Sequence, residues 1–503
     1  MKALLNRIVA ICCMASLLLL SGCKGGSGES SGSSSGVPTG SESLMSSSDS
    51  PASADSTVSS KESLESSAAS SQNRPNSSAG AATSSRTASK ASSSAAASGN
   101  DYSLPTNKTP WKQKQFYLST FRAVERDKFS DVYEKSIRAH KEAGINLIEN
   151  AILATTDLIR ALDACEKVGI DCLSQDISAF SGMGENYPLN NDEMLTDIVM
   201  QYNKYKRMVG YFVWDEPSEK NFSKLKEVTS FFKTIDPARM AYSLVLPSYG
   251  VYQWSSDHSK WQSDPYKKYV DGYLAACNPD VVCVDYYPFT SPVSSISESY
   301  LWRDLGYLRK KALELNKPLW FYFQAINMNG GTGPLPIEKM RVQMYSALAY
   351  GTVGLSYYTS LGAIVDEEGN KLSNFNQIKQ LNSEVLNLGN FLFHKKSDKL
   401  YHTGVSSDKL QGYFTDSLAQ SDLIKSAPEN AILGIFTDNT SAKYLVVVNK
   451  DFNKAMNATI TLKSAKNISE FNKKANTTNQ ISGSSASIKC QIPAGDCAVY
   501  VIK

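Results

Sequence analysis

Two carboxyl groups stand side by side where an apolar run stops: Gly210-Tyr-Phe-Val-Trp-Asp-Glu-Pro217. A carboxylic acid placed against a leaving group can supply a proton, and such a general acid is worth roughly 10²- to 10⁴-fold in rate. A like charge at Asp215 raises the pKa of Glu216 if the two side chains approach. Neighbouring strand residues point to opposite faces, so that approach requires the strand to end at this turn. Other short apolar runs close in a comparable way, at Arg122, Glu149-Asn150, Gln175-Asp176, Asp285-Tyr286-Tyr287-Pro288-Phe289, Gln324-Ala325-Ile326-Asn327 and Tyr357-Tyr358-Thr359. Carboxylates, amides, an arginine and aromatic rings are thus gathered at the ends of apolar segments. A lone member of such a set is as well explained as a helix cap or a loop solvator.

The elements that position these residues alternate. From Trp111 to about Lys396, β-type runs at 115–121, 145–152, 170–178, 209–214, 241–246, 281–286, 319–325 and 354–359 are each followed by a helical period. The helical periods fall at 132–143, 156–168, 192–207, 222–235, 266–276, 301–315, 337–350 and 375–391. Turn signals end several of them, among them Ala143-Gly144, Val168-Gly169, Asp236-Pro237 and Asn316-Lys317-Pro318. Alternating strands and helices make a parallel sheet, and eight units in this length fit a (β/α)₈ TIM barrel, which places its functional groups at the C-terminal ends of the strands. A doubly wound sheet would carry a glycine-rich phosphate loop after its first strand, but the chain there reads Ser119-Thr120-Phe121-Arg122. No nucleotide cofactor is expected. After about residue 400 the helical period disappears. Strand-like runs at 431–437, 444–449, 458–462, 487–492 and 498–502, separated by turn residues, predict a small all-β sandwich. The expected class is therefore α/β, a barrel over 109–397 followed by a sandwich over 398–503.

With strand four so placed, Trp214-Asp215-Glu216-Pro217 resembles the fourth strand of (β/α)₈ glycoside hydrolases of the retaining superfamily, where Asn-Glu-Pro closes that strand. The resemblance implies Glu216 as general acid/base and Asp215 in place of the asparagine that binds the sugar 2-hydroxyl. The Tyr287-Pro288 pair after strand six, the run Ala349–Tyr358 at strand eight and the terminal β-domain are similar to the same enzymes. It also implies that Arg122, Glu149, Asn150, Asp176, Trp214, Tyr286, Tyr287, Gln324, Tyr357 and Tyr358 line a carbohydrate site, where aromatic faces stack on sugar rings and amides and carboxylates bond hydroxyls. One position departs from the family. The superfamily's nucleophilic glutamate ends strand seven, whereas this chain has Gln324, and no Asp or Glu lies between Glu314 and Glu338. Three explanations stand. Another carboxylate serves, Asp285 first, with Glu149, Asp176, Asp366 or Glu367 behind it; or the substrate's own acetamido group attacks, with Asp215 orienting it; or the site binds glycan without turnover.

The first 23 residues read as an export signal. Lys2 and Arg7 precede a short apolar stretch, and Leu20-Ser21-Gly22-Cys23 resembles the lipobox of bacterial lipoproteins. That resemblance implies lipidation of Cys23 and anchoring at the outer face of a bacterial membrane, since two acyl chains hold stably. Residues 24–108 form an expected linker. Between 24 and 100, 30 of 77 residues are serine, too little apolar surface to offset ordering, giving a tether with a reach of about 50 Å.

Composition removes other classes. Charge is nearly balanced, 52 basic against 49 acidic residues, which argues against a nucleic-acid footprint. Four His (140, 258, 394 and 402) are scattered, and nine Cys include no Cys-x-x-Cys, so no zinc site is expected. Cys490 and Cys497 flank a turn and form the best candidate disulfide; Cys165, Cys172, Cys277 and Cys283 are read as small buried hydrophobes. Trp254, Trp261 and Trp302 follow strands five and six, and sugar platform and loop packing are equally open for them. Asp366-Glu-Glu-Gly-Asn370 reads as a solvated hairpin rather than a calcium loop. A monomer is expected.

Overall fold

The computed structural model describes residues 102–184, 186, 191–251, 265–290, 300–328, 333–406, 410 and 412–503. The leader with Cys23, and Trp254, Trp261 and His258, lie outside the described residues.

Eight strands run parallel around the barrel: β1 Tyr117–Thr120, β2 Leu147–Ile148, β3 Asp171–Ser174, β4 Met208–Asp215, β5 Met240–Leu244, β6 Val282–Tyr286, β7 Leu319–Gln324 and β8 Gly354–Tyr358, and a ninth, two-residue strand, Gly182–Met183, pairs parallel with the end of β4. Hydrogen-bonded neighbours follow the chain from β1 to β5 and from β6 to β8, and β8 pairs with β1 in register Tyr117↔Gly354. The last seam, β5 to β6, is joined by a parallel bridge, Val245↔Val284, and by Val245 N–H donating to the Cys283 carbonyl at 2.9 Å. The sheet is thereby a closed barrel.

Each strand is followed by a helix: α1 Ser130–Glu142, α2 Thr155–Val168, α3 Asp192–Tyr202, α4 Phe222–Ile235, α5 Pro265–Cys277, α6 Leu301–Leu315, α7 Ile337–Ala349 and α8 Phe375–Leu392. Apolar residues at helical spacing on one face pack these helices against the sheet, as with Leu158, Ala161, Leu162 and Cys165 on α2, all fully buried. Gly169 ends α2 at φ +71°, a left-handed cap that glycine adopts without a Cβ clash. The third helix stops at Tyr202 instead of running to 207, because Asn203 caps it and Tyr205 packs inward, its hydroxyl on Asp163 at 2.8 Å.

Side-chain alternation fills the lumen with Tyr117 and Phe121 from β1, Leu147, Leu173, Phe212, Met240, Tyr242, Leu244, Cys283, Trp320 and Tyr322. These tightly packed layers are what a small barrel needs in place of a pore.

The second sheet is antiparallel: β9 Lys396–His402, β10 Ile424–Ser426, β11 Ala431–Thr437, β12 Lys443–Asn449, β13 Met456–Asn472, β14 Thr477–Ile492 and β15 Cys497–Ile502. Its order is β9-β11-β12-β15-β13-β10, with β14 on β13. Register breaks between Thr461 and Ser469 bend β13, so that it pairs with β14 along most of its length and with β15 at 468–470. Leu433, Ile435, Leu445 and Val447 face a core shared with Ile460, Ile488 and Cys490, whereas Ile432, Phe436, Val446 and Val448 join the barrel's helices. Gly434 lies where a Cβ would stand 2.4 Å from the Ala349 carbonyl of α7.

This alternation corrects the disulfide expectation. Cys490 sits in the sandwich core and accepts from the Tyr500 hydroxyl at 3.5 Å, while Cys497 faces the barrel. All six described cysteines are free and buried. Two thiols that do lie near each other are those of Cys165 and Cys172, from the end of α2 and the start of β3. Trp302 is no sugar platform: fully buried at the junction of the sheets, it stacks on Tyr350 with ring centroids 6.0 Å apart and meets His402 edge-on.

Candidate functional site

The mouth of the barrel is organised by a one-residue irregularity in β4. Phe212 is opposite Tyr242 and Trp214 is opposite Ser243, so β4 spends one more residue than β5 over the same length. Such a bulge resets the alternation of faces. Trp214 turns outward, its indole N–H donating to the Gly184 carbonyl at 3.2 Å, and Asp215 falls beside the inward Leu244. Trp214 is therefore a packing residue, a correction to its expected place in the lining. Glu216 follows at φ +52°, a left-handed turn unusual for a residue with a Cβ. The turn is pinned on both sides: Glu216 N–H donates to the Leu244 carbonyl at 3.2 Å, and the Tyr269 hydroxyl donates to the Pro217 carbonyl at 2.8 Å. The strand thus ends where Asp215 and Glu216 both reach the mouth.

Asp285 comes from β6, two residues above the inward Cys283. Tyr287 and Glu216 both favour its ionised form, and its buried Oδ1 makes no hydrogen bond. Burial, followed by the charges of Asp285 and Glu149, pushes the Asp215 carboxyl up to about 8. Burial likewise pushes Asp285 up to about 7, against Tyr287 and Glu216, which favour its ionised form. The Cys283 thiol, in the lumen below, is pushed up by burial and then by Glu149, Asp285 and Asp215. Four carboxyls from β2, β4 and β6 therefore crowd the upper end of the lumen, and near neutrality they cannot all be ionised.

They are not equivalent. Glu149 is fully buried and saturated: Ser119 and Ser356 donate to Oε1 at 2.5 and 2.6 Å, and Tyr242 and Tyr322 donate to Oε2, the former at 2.9 Å. Burial raises its pKa and these four hydroxyls oppose the rise. Glu149 is an internal strut of the barrel with no free lone-pair direction for a ligand. Above the carboxyls, Tyr287 stacks on Tyr358 with centroids 4.6 Å apart, and Phe121 lies against Tyr358 at 5.6 Å. This is an aromatic wall beside a pair of carboxyls.

Several expected lining residues are committed elsewhere. Gln324, in the strand-seven slot, accepts from Phe289 N–H at 2.8 Å and donates to the Ile326 carbonyl at 3.1 Å, clamping the loop after β6 to β7. Asp176 accepts from Thr155, the Tyr202 hydroxyl at 2.7 Å and Ser178 N–H, and holds the loop after β3. Tyr357 points outward and donates to Asn382 of α8; its hydroxyl is one strand position out of phase with the lumen. Tyr286 likewise faces outward, accepting from Tyr300 N–H at 2.9 Å at the start of α6. Arg122 pairs with Glu125. Asn150 donates to the Leu173 carbonyl at 3.0 Å and leaves its Oδ1 buried without a partner.

Asp366 accepts from Glu368 and Asn370 N–H at 2.9 and 2.8 Å, the hairpin expected from its sequence. His140 donates from Nδ1 to the Ser136 carbonyl at 2.7 Å, and burial lowers its pKa to about 4. Among the described residues no group of three or more His, Cys, Asp or Glu is arranged to hold a metal ion.

No family model matches the chain, and no curated protein matches it. Among solved structures, it is similar to a glycoside hydrolase family 30 subfamily 8 xylanase from Clostridium acetobutylicum, at 12% identity and a TM-score of 0.39 over 78% of this chain and 96% of that one. It is also similar to α-galactosidase I from Mortierella vinacea, at 11% identity and a TM-score of 0.45 over 78% and 97%. A Bacteroides fragilis protein described as a candidate α-galactosidase is similar at 7% identity and a TM-score of 0.46 over 79% of each chain. The architecture itself rests on the strand register described above.

Proposed function

We propose that the chain is a glycoside hydrolase, carried on a lipid-anchored tether outside a bacterial membrane, with Glu216 and Asp285 as its working pair. The observation that carries this reading is the meeting of Glu216, at the end of β4, with Asp285 of β6, where Glu216 favours the ionised form of Asp285 and Tyr287, stacked on Tyr358, does the same. Two neighbouring carboxyls, one of them with an unpartnered oxygen, can deliver a proton to a leaving oxygen and meet the positive centre that forms as the bond breaks. Glu216 is the acid/base. Asp285 takes the nucleophile's part that strand seven does not supply. Asp215, held protonated by burial and by its neighbours, is a hydrogen-bond donor to a substrate hydroxyl. A pair of neighbouring carboxyls suits the ~5–5.5 Å spacing of retaining enzymes better than the ~6.5–9.5 Å of inverting ones. The reading therefore includes retention of configuration.

Gln324 favours a second reading, glycan binding without turnover, because its amide is consumed by Phe289 and Ile326. One experiment separates the two. The chain from residue 24 onward and its Glu216→Gln variant are incubated with a panel of oligo- and polysaccharides, N-acetylated ones included, and new reducing ends are counted. Turnover lost in the variant supports hydrolysis. Binding in both, with no turnover on any glycan, leaves a receptor. Cleavage restricted to N-acetylated glycans hands the nucleophile's part to the substrate's acetamido group.

A further inference from the structure

The face of the barrel where the strands begin differs in charge from the mouth. Two clefts of about 650 and 750 Å³ open on it and share Trp111 and Lys112. Their walls carry the first residues of strands and the turns before them: Gln115 and Tyr117, Asp171, Met208, Pro318 and Leu319. Three acids lie there, and each has its own cation. Asp171 pairs with Arg207 at 3.4 Å, Asp236 with Arg239 at 2.7 Å, and Asp280 with Lys233 at 2.7 Å. Four exposed lysines on the same walls, Lys112, Lys114, Lys206 and Lys396, make no ion pair with a carboxylate among the described residues, while Lys317 and Lys395 turn to the Pro279 and Phe391 carbonyls. The whole chain has a net charge of only +3, so this face concentrates positive charge while carboxyls crowd the opposite one.

The chain enters the barrel on the same face. Pro105, Thr106 and Asn107 line the first cleft, and Asn203 Nδ2 donates to the Ser103 carbonyl at 2.9 Å. The 77 residues before it carry five basic and six acidic side chains, so they bring no attraction of their own.

We propose that this strand-start face docks on a membrane surface rich in anionic phospholipids and turns the mouth away from it. Lysines within a Debye length of such a surface, about 8 Å at physiological salt, are drawn to its headgroups. Trp111, half-buried between the clefts, brings an amphipathic ring to the same plane. Docking goes beyond the proposed activity and does not require it. It does not require the acyl anchor either, which would only raise the local concentration.

The test uses residues 24–503 without acylation, co-sedimented with vesicles of equal parts phosphatidylglycerol and phosphatidylcholine, and with phosphatidylcholine alone. Binding to the anionic vesicles only, weakening as salt rises, is expected. The triple variant Lys112→Glu, Lys114→Glu, Lys206→Glu loses affinity on the order of 100-fold. A charge-matched control, Lys226→Glu, Lys463→Glu, Lys489→Glu, on exposed positions away from the clefts, changes it less than about threefold. Thermal melting checks that both triples fold, and the Lys→Gln triple at the same cleft positions repeats the measurement with smaller perturbation. No binding to anionic vesicles, or equal loss in the cleft and control triples, overturns the proposal. Binding to soluble polyglycerol phosphate without binding to vesicles also overturns it and assigns the face to a wall polymer. Because no sugar is present, failure here leaves the hydrolase reading untouched.

Discussion

Replacing Asp215 by Asn should flatten the pH dependence of stability. Unfolded, an aspartate ionises near 3.9; folded, burial and the neighbouring charges of Asp285 and Glu149 move Asp215 to about 8. Between those values the folded chain holds a proton that the unfolded chain has released. Stability conferred by the neutral carboxyl is therefore full below the unfolded pKa and drains as pH rises toward the folded one, at about 1.4 kcal/mol per pH unit. From about pH 5 to about pH 8 the ceiling is about 4 kcal/mol. Asp215 retains some contact with solvent, and part of its rise depends on the charge of Asp285, which itself titrates in this range, so about 2 kcal/mol is the expected difference. Urea unfolding of wild type and Asp215→Asn, followed by tryptophan fluorescence at both pH values, reads it directly. The wild type should lose about 2 kcal/mol more than the variant on going up in pH, because asparagine does not titrate. Parallel losses would refute the crowding of carboxyls at the mouth.

If Asp285 must be ionised to act, the acid limb of kcat/KM on a cleaved glycan should fall near pH 7, the value its burial imposes, with activity lost below it; a limb near pH 4 would remove Asp285 from that part. The first-formed anomer, followed by proton NMR, should have the configuration of the substrate; the opposite anomer would mean a water stands between the two carboxyls. Glu216→Gln should lower kcat by about 10²- to 10⁴-fold while leaving the melting temperature within a few degrees. Gln324→Glu should not raise turnover and should cost roughly 1–3 kcal/mol in unfolding free energy, since a buried carboxylate replaces the amide that donates to the Ile326 carbonyl. Gly434→Ala should cost about 1–3 kcal/mol or more by thermal unfolding, because the added methyl group meets the Ala349 carbonyl where the two sheets join.

The periodic part of this molecule is legible in the chain. Helices such as Phe222–Ile235 and Leu301–Leu315 fall where the apolar spacing and the turn residues put them. The reason is that the hydrophobic period of a segment and the caps at its ends are local properties. The sandwich was less legible: Lys396–His402 and the 463–485 portion of the long β13–β14 hairpin carry little apolar alternation, since much of that hairpin faces solvent. The nearness of Cys165 to Cys172 was hidden too, because it depends on how the end of α2 seats against β3.

At the site, residue type and strand position were enough to single out Glu216, Asp215 and Asp285, and to place carboxyls at the ends of β2, β4 and β6. Which of them remain open to a ligand was decided only by packing. Glu149 looked like Asp285 in the sequence, yet β2 delivers it into a ring of four hydroxyls. Gln324 and Asp176 looked like ligands, yet each is absorbed by a backbone loop. Position at a strand end alone puts Trp214, Tyr286 and Tyr357 at the mouth, but the bulge in β4 and the alternation of β6 and β8 turn them outward. A strand end specifies where a side chain starts. Its direction depends on the register of the neighbouring strands, and its remaining hydrogen-bonding capacity depends on partners up to some 240 residues away along the chain, as with Thr120 and Ser360 at 2.6 Å. Those are properties of the closed barrel, because only closure brings β8 beside β1 and sets the carboxyls of β4 and β6 against each other.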